Sequence, residues 1–131
     1  MMTDPISDML TRIRNALRIS RARVDVPASR LKAQICDAML REGYILGYDA
    51  LDTKPRPTLR IRLKYGPDKE KVIRTIDRVS RPGRRVYHGV DLIPMVLSGL
   101  GTGIYSTSRG ILTDRECREQ RVGGEFLCTL T

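Results

Sequence analysis

The chain has no Trp, one Phe and one His in 131 residues, and its three cysteines, Cys36, Cys117 and Cys128, never fall at the two-residue spacing of a metal knuckle. A zinc cluster therefore has no donor set at usable spacing, and no metal is expected. An odd number of thiols without a pairing pattern reads as free cysteines in a reducing, cytoplasmic compartment. Long apolar runs are missing too. The longest uncharged apolar-rich stretch, residues 92–108, is broken by Pro94, Gly99, Gly101 and Gly103, which excludes an apolar helix of the ~20 residues that cross a bilayer. The opening MMTDPISDML carries two acids before the first Arg and no apolar block of the signal-peptide kind, so the mature chain is expected to start near Met1. Membranes are not expected among its partners.

Catalytic machinery is equally sparse. The lone His88 has no Ser/His/Asp or Cys/His companions at supportive spacing, so it reads as a surface residue. Gly99, Gly101 and Gly103 miss the spacing of a dinucleotide loop, and neither a Walker loop nor a nucleophile elbow occurs. No enzyme activity and no cofactor are expected.

Positive charge is abundant. Lys and Arg number 24 against 15 Asp and Glu, a net charge of +9. Residues 53–90 hold 12 basic and 3 acidic side chains, so the whole excess sits in the middle third and the remainder balances at 12 against 12. Nineteen of the 24 cations are Arg, whose planar guanidinium pairs two phosphate oxygens at once and stacks on bases. The partner implied is nucleic acid. With 40% hydrophobic residues the chain is not a disordered basic tail, and at this length it buries roughly 65–70% of its unfolded surface if packed as one unit.

Patterning supplies the elements. Asp4 and Pro5 form a helix start, and Ile6, Met9, Leu10, Ile13 and Leu17 recur at helical spacing to about residue 19. The other side of that helix carries Thr11, Arg12, Arg14, Asn15 and Arg18, either a solvated face or a phosphate-contacting one. Val24 and Val26 alternate as a short strand. Ser29 caps a second helix with Leu31, Ile35, Ala38 and Met39 inward, stopped by Gly43. A strand follows at residues 44–48. In residues 59–65 the alternation is complete, with Leu59, Ile61, Leu63 and Tyr65 on one face and Arg60, Arg62 and Lys64 in register on the other. Gly66-Pro67-Asp68 marks a linker. Residues 72–79 suit strand or helix. Pro82-Gly83 fits a type II turn, Arg84 to His88 a returning strand, Pro94 to Leu97 a helical turn, and Thr113 a helix cap with the helix running to about Arg121. Gly123-Gly124 is a turn before a terminal strand at residues 125–128.

Two constellations bear on binding. Ser106-Thr107-Ser108-Arg109-Gly110 puts three hydroxyls, a guanidinium and a flexible Gly into a hairpin tip without an acid. Hydroxyls donate to phosphate and ribose oxygens and accept from base amino groups, which suits RNA with its 2′-OH; alternatively they satisfy their own backbone. Gly123-Gly124-Glu125 permits close backbone approach, with Glu125 placed to orient a neighbouring loop. Tyr87, beside Arg84, Arg85 and His88, is either a stacking platform or a half-buried core residue.

Taken together, residues 4–15 (DPISDMLTRIRN), Arg78-Val79-Ser80-Arg81-Pro82-Gly83, Gly99-Leu100-Gly101, residues 106–110, Thr113-Asp114-Arg115-Glu116 and Gly123-Gly124-Glu125 closely resemble, in this order, the bacterial-type small-subunit ribosomal protein S-eight family. The resemblance implies an α+β fold of two small domains: an N-terminal half of two helices and three strands at residues 1–66, and a strand-rich half with short helices at residues 67–131. It implies direct binding to small-subunit ribosomal RNA during assembly, neighbouring ribosomal proteins as partners and, in some bacteria, repression of the operon's own messenger RNA. By position, Ser106, Thr107, Ser108 and Arg109 would enter a distorted minor groove with Tyr87 beside them. Gly123, Gly124 and Glu125 would support that surface, while Asp4, Thr11, Arg14, Asn15 and Lys32 would meet a second RNA segment. Cys117 and Arg109 depart from the family's usual small residue and Lys. The most basic third then reads as general phosphate attraction, apart from the specific site.

Overall fold

The computed structural model describes residues 4–131. Asp4 accepts the Ser7 amide through Oδ1 at 3.1 Å, and Pro5 begins α1 (Pro5–Arg18), because proline's fixed φ suits a position whose N–H has no helical partner. Ile6, Met9, Leu10, Ile13, Ala16 and Leu17 are buried on one stripe. In α2 (Arg30–Arg41), capped by Ser29, the buried stripe runs through Lys32, Ile35, Cys36, Ala38 and Met39. Leu31, expected inward, is exposed. Lys32 takes the inward position: its stem lies in the core while Nζ donates to the Pro27 carbonyl at 2.9 Å. Burial lowers the pKa of that amine. Gly43, at φ +79°, supplies the left-handed residue after the helix.

A first antiparallel sheet contains β1 (Arg23–Pro27), β2 (Ile45–Leu51) and β3 (Thr58–Leu63), in the order β1-β3-β2. Leu59, Ile61 and Leu63 face α1 and α2 in one apolar cluster. The cations opposite meet acids: Asp25, Arg60 and Asp49 form one cross-strand row. Arg60 holds Asp25 through two bonds of 2.8 and 3.0 Å, and Arg62 lies 3.5 Å from Asp49. The bond to Arg60 is the main reason the Asp25 carboxyl sits below its ordinary pKa.

The second sheet contains β4 (Ile76–Arg78), β5 (Tyr87–His88), β6 (Thr102–Thr107), β7 (Gly110–Thr113) and β8 (Gly124–Leu130). β8 is central, with β6 and then β7 on one side and β4 and β5 sharing the other. α3 (Asp114–Gln120) follows β7 through a capping box of Thr113 and Glu116, whose backbone amides and side chains bond reciprocally. Residues 72–79 thus resolve into one three-residue strand. The Pro82-Gly83 turn closes a pair of bonds between Arg81 and Arg84. It is not type II, because Gly83 stays outside the positive-φ region that such a turn demands at this position.

One sheet lies within residues 1–66 and the other within 67–131, but the apolar cluster is shared. Ile73, Ile76, Ile104, Ile111, Leu127, Cys128 and Leu130 pack with the residues of α1, α2 and β3. A second cluster, Ile93, Tyr105, Leu112, Cys117 and Phe126, fills the opposite face. All three cysteines are buried, and burial pushes the thiols of Cys36 and Cys128 up to about 12 and that of Cys117 up to about 11. Among the described residues, no helix is long and apolar enough to cross a membrane.

Candidate nucleic-acid interface

At one end of the second sheet, β8 aligns three of the singled-out residues. Glu125 stands opposite Tyr87 of β5 on one side and opposite Ser106 of β6 on the other. Directly opposed residues of antiparallel strands share a face, so phenol, carboxylate and hydroxyl form a single row. Tyr87 is 67% exposed, so the half-buried core reading of this residue does not hold. The Glu125 carboxylate accepts from the Arg85 guanidinium at 3.0 Å, and among the described residues no hydroxyl of the neighbouring loop bonds to it, contrary to the expectation that it orients that loop. Arg85 precedes Tyr87 by two residues along the chain, so the two point the same way.

The row is held together by glycine. A Cβ on Gly124 would lie 2.3 Å from the Ser106 carbonyl oxygen and 2.9 Å from the Thr107 methyl. On Gly123 it would lie 2.4 Å from the His88 carbonyl oxygen. Both of the closest contacts are to backbone, so neither neighbour can swing aside. These two glycines let β8 run closer to β5 and β6 than any side chain allows. They do not form a free-standing turn, since β8 begins at Gly124.

From this row β6 and β7 project a hairpin with Ser108 and Arg109 exposed at its tip. The hydroxyls divide their work. Thr107 Oγ1 donates to the Gly110 carbonyl at 2.8 Å and accepts from the Arg109 amide at 3.0 Å, so this one is consumed by the turn. Among the described residues, no hydrogen bond occupies the hydroxyls of Ser106 and Ser108. Gly110, at φ +102°, closes the hairpin in a conformation that side-chain-bearing residues rarely adopt.

His88 is a correction to the sequence reading. It is half-buried, shares a 2.9 Å hydrogen bond with the Tyr105 hydroxyl, and rests its ring against Tyr105 and Phe126 at centroid distances of 5.9 and 5.2 Å. Tyr105 and Phe126 stack at 4.6 Å. The three rings form a rigid layer on the face opposite the row, which fixes the strands that carry Tyr87, Glu125 and Ser106. Burial raises the Tyr105 phenol pKa and keeps it neutral.

The N-terminal candidates are not grouped in the same way. Asp4 caps α1 and binds the buried Arg78 guanidinium at 3.0 Å through Oδ2, while Arg78 also donates to the Leu127 carbonyl at 2.7 Å. Arg14 donates to the Ile76 carbonyl and lies 3.8 Å from Asp77. Asp4, Arg14 and Lys32 are therefore tied to the protein's own frame. Thr11 and Asn15 are exposed on α1. Asn15 lines an open groove of about 590 Å³ together with Arg12, Arg21, Arg23 and Arg60. Among the described residues, no group of His, Cys, Asp and Glu is placed to hold a metal ion.

The model of the family described as Ribosomal protein S8 matches residues 4–130. The "Small ribosomal subunit protein uS8" of Thermus thermophilus is 55% identical over 135 residues, covering 98% of each chain. Those of Caldicellulosiruptor bescii and Rhodopirellula baltica are 54% and 51% identical, covering 95% and 100% of each chain. The chain belongs to the ribosomal protein S8 family.

For this S8-family chain, sequence reasoning missed Arg85 and the ring layer. A signal for Arg85 existed in the alternation Arg85, Val86, Tyr87, His88, which puts it on the face of Tyr87. Glu125 was itself a candidate, but its pairing with Arg85, 40 residues away in the chain, had no signal. The strand cations were found but their acids were not, because Asp25 and Asp49 meet Arg60 and Arg62 only once the register is set.

Proposed function

We propose that this chain is a non-catalytic constituent of the small ribosomal subunit that binds small-subunit ribosomal RNA directly and supports its assembly in the cytoplasm. The observation that carries the reading is the cross-strand row of Tyr87, Glu125 and Ser106, continued by Ser108 and Arg109 at the hairpin tip. Its acid is neutralised by Arg85, its phenol is exposed, and its hydroxyls are free to donate and accept. Such a surface reads a grooved ribose-phosphate helix by shape, 2′-OH contact and stacking, with limited base readout. Rigid glycine contacts and the ring layer spare it much of the ordering cost on binding. Supporting this, relatives at 51–55% identity over nearly their whole length bear the name of a small ribosomal subunit protein.

Thr11 and Asn15, with the arginine-lined groove beside α1, form the second surface for a separate RNA segment. Asp4, Arg14 and Lys32 serve it by fixing α1, β4 and β1 in place. The two-unit division at residues 66 and 67 then assigns one RNA surface to each sheet. Messenger RNA that presents the same helix geometry would compete for the hairpin surface, and repression of the operon's own transcript by that competition is part of the proposal.

A footprint of the purified protein on complete small-subunit ribosomal RNA tests the reading. The expected result is one strongly protected helix and a weaker second segment, unchanged by excess DNA duplex. Loss of protection to the DNA duplex would identify a DNA-binding regulator instead.

A further inference from the structure

At the end of the first sheet where β1 and β2 begin and β3 finishes lies a hollow of about 550 Å³. Arg23 is the one residue it shares with the groove beside α1. Its floor is apolar, made by Leu46, Leu63 and Tyr65, with Leu46 59% exposed. The floor is fixed from beneath. The Tyr65 hydroxyl donates to the Arg21 carbonyl at 2.6 Å, so its proton is spent on the backbone, and the Leu63 amide donates to the Ala22 carbonyl at 2.8 Å. The rim is cationic. Arg23, Arg62 and Lys69 line it, and among the described residues no acid does.

Register sets the charge at that rim. Arg23 and Arg62 stand directly opposite each other on β1 and β3, an arrangement of like charges that costs stability when nothing lies between them. On its other side Arg62 is opposite Gly47 of β2, where a Cβ would lie 2.4 Å from the guanidinium; the glycine lets Arg62 lie across the strand. Asp49 reaches Arg62 at 3.5 Å and cancels part of its charge, while among the described residues no ion pair holds Arg23 or Lys69. An anion seated between the cations turns their repulsion into attraction. Floor and rim together choose the occupant. A bare phosphate leaves the apolar floor wet, and an apolar side chain leaves the cations unanswered. A nucleotide satisfies both, with its base on the floor and its phosphate at the rim, and the volume falls within the range of about 300–1,000 Å³ typical of small-ligand sites. The floor side chains hold no donor that is not already used, so they stack a base without reading it.

We propose that this hollow is a subsite for one unpaired nucleotide of the bound RNA, its base laid on Leu46, Leu63 and Tyr65 and its phosphate held by Arg23, Arg62 and Lys69. The proposal rests on the RNA-binding reading above and adds to it a contact of a different kind. The hairpin meets a helical groove, whereas the hollow takes a single unstacked base of any type.

The test places a photoreactive leucine analogue at position 46 of the full chain, which is irradiated in complex with complete small-subunit ribosomal RNA. The expected result is an adduct to one unpaired nucleotide outside the helix that the hairpin protects. Excess adenosine 5′-monophosphate suppresses that adduct, and inorganic phosphate at the same concentration does not. In parallel, Leu46→Glu, which sets a carboxylate where the base lies, exposes that nucleotide in a footprint and weakens RNA binding by about fivefold or more, while the hairpin's helix stays protected. Leu46→Ala, which adds no charge, gives a smaller loss of the same protection. Leu46 is exposed, and urea unfolding of both variants checks that they fold as the parent does. Equal suppression by nucleotide and inorganic phosphate would show a phosphate site without base contact and overturn the proposal. Adducts scattered over paired RNA, adducts to protein only, or an unchanged footprint with Leu46→Glu would overturn it too. If the adduct is missing from a complex whose hairpin footprint is intact, the subsite alone falls; if the parent chain does not bind the RNA, the functional reading falls and takes the subsite with it.

Discussion

Arg85, two residues ahead of Tyr87 at the start of β5, meets Glu125 of β8 at 3.0 Å, so the one carboxylate in the candidate RNA surface is neutralised from within. The pair sits where the row of Tyr87 and Ser106 converges on β8. Glu125→Gln would free Arg85 and add one positive charge to the surface without changing its shape. The expected outcome is tighter binding to any RNA at low salt and a poorer ratio between ribosomal and unrelated RNA, since phosphate contact adds affinity but no sequence information. Titration of both RNAs against salt checks it; an unchanged ratio would show that the pair does not shape recognition.

The neighbouring hydroxyls of Thr107 and Ser108 separate stability from binding. Thr107 Oγ1 makes both of the hairpin's internal side-chain bonds, so Thr107→Val is expected to cost about 1 kcal/mol of folding stability through the lost bonds. Ser108 is exposed at the tip, and Ser108→Ala is expected to leave folding within about 0.5 kcal/mol of the parent. The same change should weaken specific RNA binding by about 1–2 kcal/mol, or roughly 5- to 30-fold, if its hydroxyl is buried against the RNA. Urea unfolding and equilibrium binding on both variants measure the two effects. Equal RNA affinity for Ser108→Ala and parent would remove the tip from the interface.

Elements written in adjacent residues were legible from the sequence. α1 announces itself by Asp4, Pro5 and a continuous apolar stripe, β3 by strict alternation, and α3 by Thr113 three residues before Glu116. The hairpin at residues 106–110 and Gly123-Gly124-Glu125 came into view as candidates from their own residue types, and the family motifs agreed with them. Features made by residues far apart were not legible. His88 reads as a surface residue until β5 lands on β8 and brings Phe126 beneath it. Leu31 and Lys32 exchange expected environments because the carbonyl that receives Nζ belongs to Pro27, at the end of the preceding strand. Hydropathy alone does not see such a partner.

Glu116 ties pH to the joint between α2 and α3. Burial opposes its ionisation, but hydrogen bonds from Arg41 at 2.9 Å and from the Thr113 amide at 2.9 Å outweigh burial and hold its pKa below the ordinary 4.5. Because the folded pKa is the lower one, the stabilisation is complete above the ordinary value and is lost as pH falls through the folded one. Glu116→Gln keeps an acceptor for the Thr113 amide and cannot titrate. The expected outcome is a parent that is more stable than Glu116→Gln at pH 7, with the gap closing below about pH 4.5. Parallel urea midpoints across that range would dismiss the linkage.

The cations of the middle third differ in what they have left to give. Arg60 and Arg62 face Asp25 and Asp49, so their fields are partly cancelled before any phosphate arrives. Arg81 and Arg84 are exposed at the turn beside Asp4 and Ser7, and no acid pairs with them among the described residues. Each phosphate contact contributes about 0.7 to 0.9 to the slope of log affinity against log salt. Arg81→Gln with Arg84→Gln is therefore expected to reduce that slope by about 1–2 while leaving discrimination between RNAs intact. Arg60→Gln with Arg62→Gln should reduce it less and lower folding stability instead, because Asp25 and Asp49 lose their partners. A larger slope change from the strand pair than from the turn pair would mean that RNA displaces the acids, and would move general phosphate attraction back to β3.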